Sequence, residues 1–213
     1  MIFEQIRVGG DHNFAYLLGD EKGGTAVLVD PSFDPEMVMD RAAAHDLEVA
    51  AVACTHSHYD HVNGNDAVRS ATGAEVWLYG VGAGPGERGL RDGEEIAAGK
   101  LRIRVIHTPG HTPDAVCYLV GGKLLTGDTL FVGKVGGTGF GADAREEYDS
   151  LHKKLMVLPD ETEVWPGHDY GVRPSSTIGE EKRANPFLLQ PDFESFLDLK
   201  KNWAEFKKKH GIA

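Results

Sequence analysis

Cysteine is scarce in this chain, with only Cys54 and Cys117 among 213 residues. Each sits inside an apolar, strand-like run, so two reduced core thiols are expected rather than one buried disulfide. Long hydrophobic runs are missing altogether, and no segment has the apolar length that a membrane-spanning helix needs. The opening MIFEQIRVGGDHNF lacks both a basic, apolar leader pattern and an arginine-rich amphipathic one, which makes the cytoplasm the expected compartment. Positive charge is also in deficit. With 22 Lys and Arg against 33 Asp and Glu, the net charge is −11. So acidic a chain repels polyanions, and neither nucleic acid nor a membrane is an expected partner.

What is present reads as one ordinary globular domain spanning residues 1–213. Hydrophobic residues make up 41% and charged residues 26%, a balance able to build a core. The 27 glycines cluster at Gly9-Gly10, Gly23-Gly24, 80–89, Gly121-Gly122 and 133–141. Many short strands joined by tight turns call for that pattern.

Strands are expected at 2–8, 14–18, 26–29 and 49–54, the last a continuous apolar run buried on both faces. A helix is expected from Pro35 to about His45, with the proline in the first turn where its missing N–H is harmless. A short helix over 65–71 and a strand over 75–78 follow, then a glycine-rich loop over 80–93. A second β-rich block occupies 101–106, 116–120 and 123–125. After it come an amphipathic helix over 146–158, a short strand at Val164-Trp165 and a terminal helix over 193–209. That helix, about 192–210 at its widest, is expected to pack on the domain through Phe193, Phe196, Leu197, Trp203 and Phe206. No internal repeat or low-complexity linker interrupts the order. Two sheets packed face to face with helices outside would suit it, and periodicity alone supports a mixed α/β class.

The chemistry is concentrated in THSHYDH, which places His56, His58, Asp60 and His61 within six positions directly after a buried strand. A loop there can turn such closely spaced donors toward a common point. Further donors arrive from elsewhere: His111 in HTPGHTP, Asp128 in LLTGDTLF and His168 in VWPGHDYG. Each follows an apolar run and lies beside Gly or Pro, as a loop leaving a sheet edge would. Taken singly, His111 and His168 read as satisfied histidines and Asp128 as a turn residue. THSHYDH does not, because burying so many polar rings without partners is costly. A metal centre is the expectation.

The set HxHxDH, HTPGHT, GDTLF and PGHDY resembles the signature of the metallo-β-lactamase superfamily, in order and spacing, across nearly the whole chain. The resemblance implies an αββα sandwich with the site along its shared sheet edge. It also implies His56, His58 and His111 on one metal, Asp60, His61 and His168 on a second, and Asp128 as a bridge. Asp60 and Asp128 would carry the catalytic roles. Two divalent ions are the expected cofactors, zinc first, with iron or manganese as alternatives. His107 falls outside the ligand pattern, and Asp30 resembles that family's buried aspartate, an organiser of loops.

Within the superfamily, His58 argues against the flavodiiron branch, and the chain has no room for the nuclease insertion. GDTLFVG, REEYDSL, LPDETEVWPGHDY and ANPF resemble glyoxalase II (hydroxyacylglutathione hydrolase). That resemblance implies a hydroxide shared by two metals attacking a thioester whose leaving thiolate needs no separate acid. GGTGF (136–140) and STIGEEKRANPFL (176–188) resemble persulfide dioxygenase, a sister family with one iron held by residues matching His56, His111 and Asp128. The hydrolase is the preferred reading. Where glyoxalase II carries a substrate-holding lysine this chain has Gly137, with Lys134 three residues before it. Tyr170, Arg173, Lys182, Arg183 and Lys134 are the candidates for holding an anionic small-molecule thioester or glutathione-derived thiol. The chain itself is expected to be a monomer or homodimer.

Overall fold

The computed structural model describes residues 1–211, and the two expected β-blocks become two six-stranded sheets. The first contains β1 (Ile2–Gly9), β2 (Asn13–Gly19), β3 (Thr25–Val29), β4 (Glu48–Ala53), β5 (Glu75–Tyr79) and β6 (Arg88–Leu90), in sequence order across the sheet. β3 to β6 pair in parallel. Parallel pairing needs crossovers: α1 (Pro35–Ala44) supplies the one from β3 to β4 and α3 (Asn65–Thr72) the one from β4 to β5, while the 80–87 loop joins β5 to β6.

The second sheet is ordered β14-β13-β10-β9-β8-β7. It comprises β7 (Glu95–Ala98), β8 (Leu101–His107), β9 (Val116–Val120), β10 (Lys123–Gly127), β13 (Glu163–Pro166) and β14 (Ser176–Thr177). A small ribbon of β11 (Leu130–Phe131) and β12 (Lys134–Val135) stands beside it. α4 (Ala142–Ser150), α5 (Ile178–Ala184), α6 (Phe193–Lys201) and α7 (Trp203–His210) follow.

Three apolar layers hold this together. Val27, Val29, Ala51, Ile103, Val105 and Tyr118 meet between the sheets. Leu28, Val52 and Val76 face outward from the first sheet onto Val38 of α1 and Val68 of α3. Cys117, Leu124 and Val164 face outward from the second onto Leu151, Leu155, Ile178 and Phe196. Helix, sheet, sheet, helix is the αββα sandwich. Cys54 and Cys117 are both free and buried. Among the described residues no helix is long and apolar enough to cross a membrane.

Several elements depart from expectation. Within THSHYDH the chain is not all loop: Tyr59–Val62 closes one helical turn, α2. The helix expected over 146–158 begins at Ala142, and its backbone widens into a π turn at Leu151–Leu155, where Met156 N–H donates to Leu151 O at 2.8 Å. The terminal helix is two helices. Asn202 ends α6 with its side-chain amide on Asp198, and this local bond offers the backbone an alternative to continuing. Of the residues expected to dock the tail, Phe196 is buried and Leu197 only half-buried, while Leu199 enters the core instead. The 80–93 segment contains β6, and β7, β11, β12, β14 and α5 were not anticipated. Short edge strands and a seven-residue helix leave little periodicity to read.

Candidate metal centre

Four strand ends open on the same edge of the sandwich. β4 runs into His56, His58, Asp60 and His61; β8 leads to His111, β10 to Asp128 and β13 to His168. The sheets are tied together there. Val116 N–H donates to Thr55 O and Phe14 N–H to Gly167 O, each at 2.8 Å, and the Tyr118 hydroxyl donates to Cys54 O at 2.7 Å. Gly167 is required by this closeness: a Cβ there would lie 2.6 Å from Asp128 Oδ1 and 2.9 Å from His61 Cε1.

The seven expected ligand residues converge into three overlapping groups: His56, His58 and His111; His56, His61 and Asp128; Asp60, His61 and His168. His58 Nδ1 lies 3.0 Å from both His56 Nε2 and His111 Nε2, and His61 Nε2 lies 3.2 Å from His168 Nε2. Asp128 links the groups. Its Oδ1 is 3.4 Å from His61 Nε2, and its Oδ2 is 3.4 Å from His168 Nε2 and 3.6 Å from His111 Nε2. Nitrogens about 2.05 Å from a tetrahedral ion stand about 3.3 Å apart. The observed spacings surround that value.

The opposite ring nitrogens are occupied. His111 Nδ1 donates to Gly137 O and His168 Nδ1 to Asp11 O, each at 2.7 Å, and His61 Nδ1 donates to Asp30 Oδ2 at 2.9 Å. Fixing the proton outward leaves the inward nitrogen as a lone pair, which is how histidine ligands are prepared. Asp30 also accepts from Thr55 N–H and Thr55 Oγ–H, so this buried carboxylate organises the loop and stands outside the cluster. His107 is remote too, stacked on Tyr79 with ring centroids 3.8 Å apart and its Nε2 on Pro113 O.

Facing imidazole nitrogens and a buried Asp128 Oδ1 without any hydrogen-bond partner make a poor polar interior by themselves. An ion at the convergence point satisfies all of them, and nitrogen with carboxylate oxygen is a donor set for zinc, iron or manganese. The residues fit a divalent metal.

Electrostatics differ across the centre. Burial lowers the pKa of His56, reinforced by the neighbouring imidazoles, and lowers that of His111. For His61, burial is outweighed by the carboxylates of Asp30, Asp128 and Asp60, and the ring is raised to about 9. His168 is raised likewise, with Asp128 overcoming burial. Asp128 itself would be raised by burial, yet its bond to His168 and the nearby imidazoles hold it well below the usual carboxylate range.

Two contributors escaped the sequence reading. Asn13, fully buried on β2, donates to Asp60 O at 3.1 Å and Asp60 Oδ2 at 3.2 Å and so orients that carboxylate. Asp11 supplies the carbonyl under His168. Both follow the Gly9-Gly10 turn, where nothing but the turn itself drew notice.

Of the five substrate candidates, three line one groove of about 550 Å³ beside the centre: Lys134, Tyr170 and Arg173. Tyr170 stacks on His168 with centroids 4.7 Å apart, and Lys134 Nζ sits 4.4 Å over the Tyr170 ring. Arg173 is already paired with Glu180 at 2.7 Å. Lys207 and Trp203 of α7 complete the wall, and neither was expected there. Lys182 and Arg183 do not belong to it: Lys182 pairs with Asp160 at 2.6 Å, and Arg183 is exposed nearby. α5 turns its two basic residues away from the centre, toward the acidic end of the β13 approach.

Residues 8–168 match the metallo-beta-lactamase superfamily, and the chain belongs to it. Among its relatives, a hydroxyacylglutathione hydrolase of Anaeromyxobacter dehalogenans is 41% identical over 174 residues, 81% of this chain and 67% of the relative. The human mitochondrial persulfide dioxygenase ETHE1 is 31% identical over 184 residues, covering 82% of this chain and 71% of that one. In structure the chain is similar to ETHE1 from Myxococcus xanthus, with TM-score 0.89 and 40% identity, over 95% of this chain and 91% of that one.

Proposed function

We propose that the protein is a metal-dependent thioesterase of the glyoxalase II kind, acting on an acyl thioester of a small anionic thiol. The observation that carries this reading is the second ligand group. Asp60, His61 and His168 converge as tightly as the first group does and share Asp128 with it, which suits two ions rather than one. Ions bound there would supply a water-derived nucleophile at neutral pH and an electrophile for the carbonyl oxygen.

The chain's own residues do the rest. His56, His58 and His111 would hold one ion, and Asp60, His61 and His168 the other, with Asp128 between. Asn13 orients Asp60, while Asp30, Asp11 O and Gly137 O keep the imidazole protons pointing outward. Tyr170, stacked on His168, forms the floor from the metal centre into the groove. Among the described residues, no carboxylate lies within ion-pair distance of the ammonium groups of Lys134 and Lys207 there, and they would receive the charged end of the thiol half. The acyl half would lie over the metals. A released thiolate has a pKa near that of cysteine, about 8.5, so no acid is needed to expel it.

The likeness to ETHE1 favours a second reading, a persulfide dioxygenase with one iron on His56, His111 and Asp128. Metal content, thioester hydrolysis and persulfide-dependent oxygen uptake, measured for wild type and His168→Ala, separate the two. The thioesterase holds about two ions, hydrolyses thioesters, and loses one ion and several orders of magnitude in kcat on substitution. Oxygen uptake by wild type, no hydrolysis and a single iron retained in His168→Ala would establish the second reading instead.

A further inference from the structure

The far side of the His111 loop rests on a buried ion pair that neither ligand group includes. Lys200 on α6 and Glu147 on α4 are salt-bridged with their side chains 6% and 1% exposed. Lys200 Nζ also donates to Gly136 O at 2.8 Å. The next carbonyl, Gly137 O, accepts the His111 Nδ1 proton. One ammonium on α6 thus grips the peptide adjoining the one that holds the His111 ring.

Glu147 reaches the same loop from the other direction. Gly110 immediately precedes His111 and packs so closely on α4 that a Cβ there would lie 2.3 Å from Glu147 Cβ and 2.5 Å from its Cα. One turn further along, Ser150 Oγ donates to Pro109 O at 2.8 Å. The backbone before His111 and the carbonyl beyond its ring are therefore both anchored on the Glu147–Lys200 pair and its helix.

Stability does not account for such a pair. Burying two charges is costly, and apolar residues of similar volume serve a core at least as well. Glu147 Oε1 is moreover buried without a hydrogen-bond partner, an added cost. Among the described residues, the pair's other side-chain hydrogen bond runs from Lys200 to Gly136 O, one peptide before the carbonyl that holds the His111 ring.

We propose that Lys200 and Glu147 are positioning residues for His111, which makes α6 a structural part of the metal centre. Lys200 fixes the Gly136–Gly137 turn, and that turn sets the ring angle and tautomer of His111. Glu147 fixes Lys200 and backs Gly110. The inference rests on His111 being a metal ligand. It holds equally for one ion or two, since His111 belongs to both arrangements.

Lys200→Met alone would strand a buried carboxylate, so the informative variant is Lys200→Met/Glu147→Leu, which replaces the pair with apolar volume. Lys200→Leu/Glu147→Met, of the same summed volume, is read identically if the first repacks badly. Thermal unfolding and far-UV circular dichroism report folding. Cobalt affinity by chelator competition and the visible spectrum of the bound cobalt report the centre, with His111→Ala and His168→Ala as references. The folded double variant is expected to bind the ion that His111→Ala removes about ten- to a hundred-fold more weakly, with an altered cobalt spectrum. Any ion that only His168→Ala removes should keep its wild-type affinity. Wild-type affinity and spectrum in a folded double variant would overturn the proposal and leave the pair a packing feature. Full metal retention by His111→Ala would instead overturn the ligand assignment on which it rests.

Discussion

The two halves of the metal centre lie in opposite electrostatic surroundings. His56 and His111 lie among imidazoles in a buried site that disfavours their charged forms, so they offer neutral nitrogens at pH 7. His61 and His168 face Asp30, Asp60 and Asp128, and His61 is raised to about 9. Without metal, the second half is a salt-bridged network that keeps a proton on His61. The first half is a set of open lone pairs. Carboxylates thus pre-assemble one half at the cost of a proton that any incoming ion must displace.

Asp128 is where this contrast should break most severely. Its two oxygens face both halves, so Asp128→Ala should strip metal from each and cost several kcal/mol of transition-state stabilisation, orders of magnitude in kcat. Elemental analysis with an activity assay checks it; a variant that keeps one firmly held ion would show the halves to be independent. Asp30→Asn should act on one half only. Its carboxylate takes three hydrogen bonds around His61 and Thr55, and an amide cannot accept all of them. We expect a loss of about ten- to a hundred-fold in affinity for the ion on Asp60, His61 and His168, measured by chelator competition, with the His111 ion unaffected.

The proton itself gives the next test. A group whose folded pKa is raised contributes stability below its unfolded value, and that contribution is lost as pH climbs through the folded value. For His61 the window runs from 6.5, its ordinary value, to about 9. Metal-free protein should therefore lose thermal stability across that window. Over the same range the affinity of the second-half ion should rise by up to about tenfold per pH unit, because one fewer proton is displaced. The first-half ion should show no such slope. Calorimetric titrations in two buffers of different ionisation enthalpy would count the protons released, and equal release from both halves would contradict the contrast.

How much of this was legible in the chain depends on where each interaction is encoded. The convergence of the seven residues could be read because its signals are local: His56, His58, Asp60 and His61 stand out by spacing, and His111, Asp128 and His168 by position after a strand. Asp30, which holds the His61 proton, could be read as a buried organiser, but the other supporting partners could not. Asn13 and the carbonyl of Asp11 reach the site only because β2 begins against the β13 exit, through the Phe14–Gly167 bond. The basic residues show the same limit in reverse. Lys182 and Lys134 are equivalent as letters, yet Asp160 neutralises the first while the second overlooks Tyr170. The sandwich itself was legible from alternating β-blocks and helices. The break at Asn202, which carries Lys207 into the groove, was not, because a single side-chain bond to Asp198 decides it.

That break leads to the smallest effect expected. Burial, with the charge of nearby Lys207, keeps the Lys134 ammonium below the ordinary lysine pKa. The two cations repel each other, and an anionic substrate end between them relieves that repulsion while gaining two charged hydrogen bonds. Both lysines lie in the groove beyond Tyr170, away from the seven donors, so they should bind ground state and transition state alike. Substitution should then raise KM and leave kcat unchanged. One hydrogen bond to a charged group is worth about 1.5–3 kcal/mol, reduced here because the groove is open to water. Lys134→Ala or Lys207→Ala should accordingly raise KM for an anionic thioester about three- to thirty-fold, with little change for a neutral thioester of the same acyl group. Steady-state kinetics on the paired substrates tests this, and the neutral thioester is the decisive arm. A matching rise in its KM would show that the lysines shape the groove and do not read the charge of the thiol.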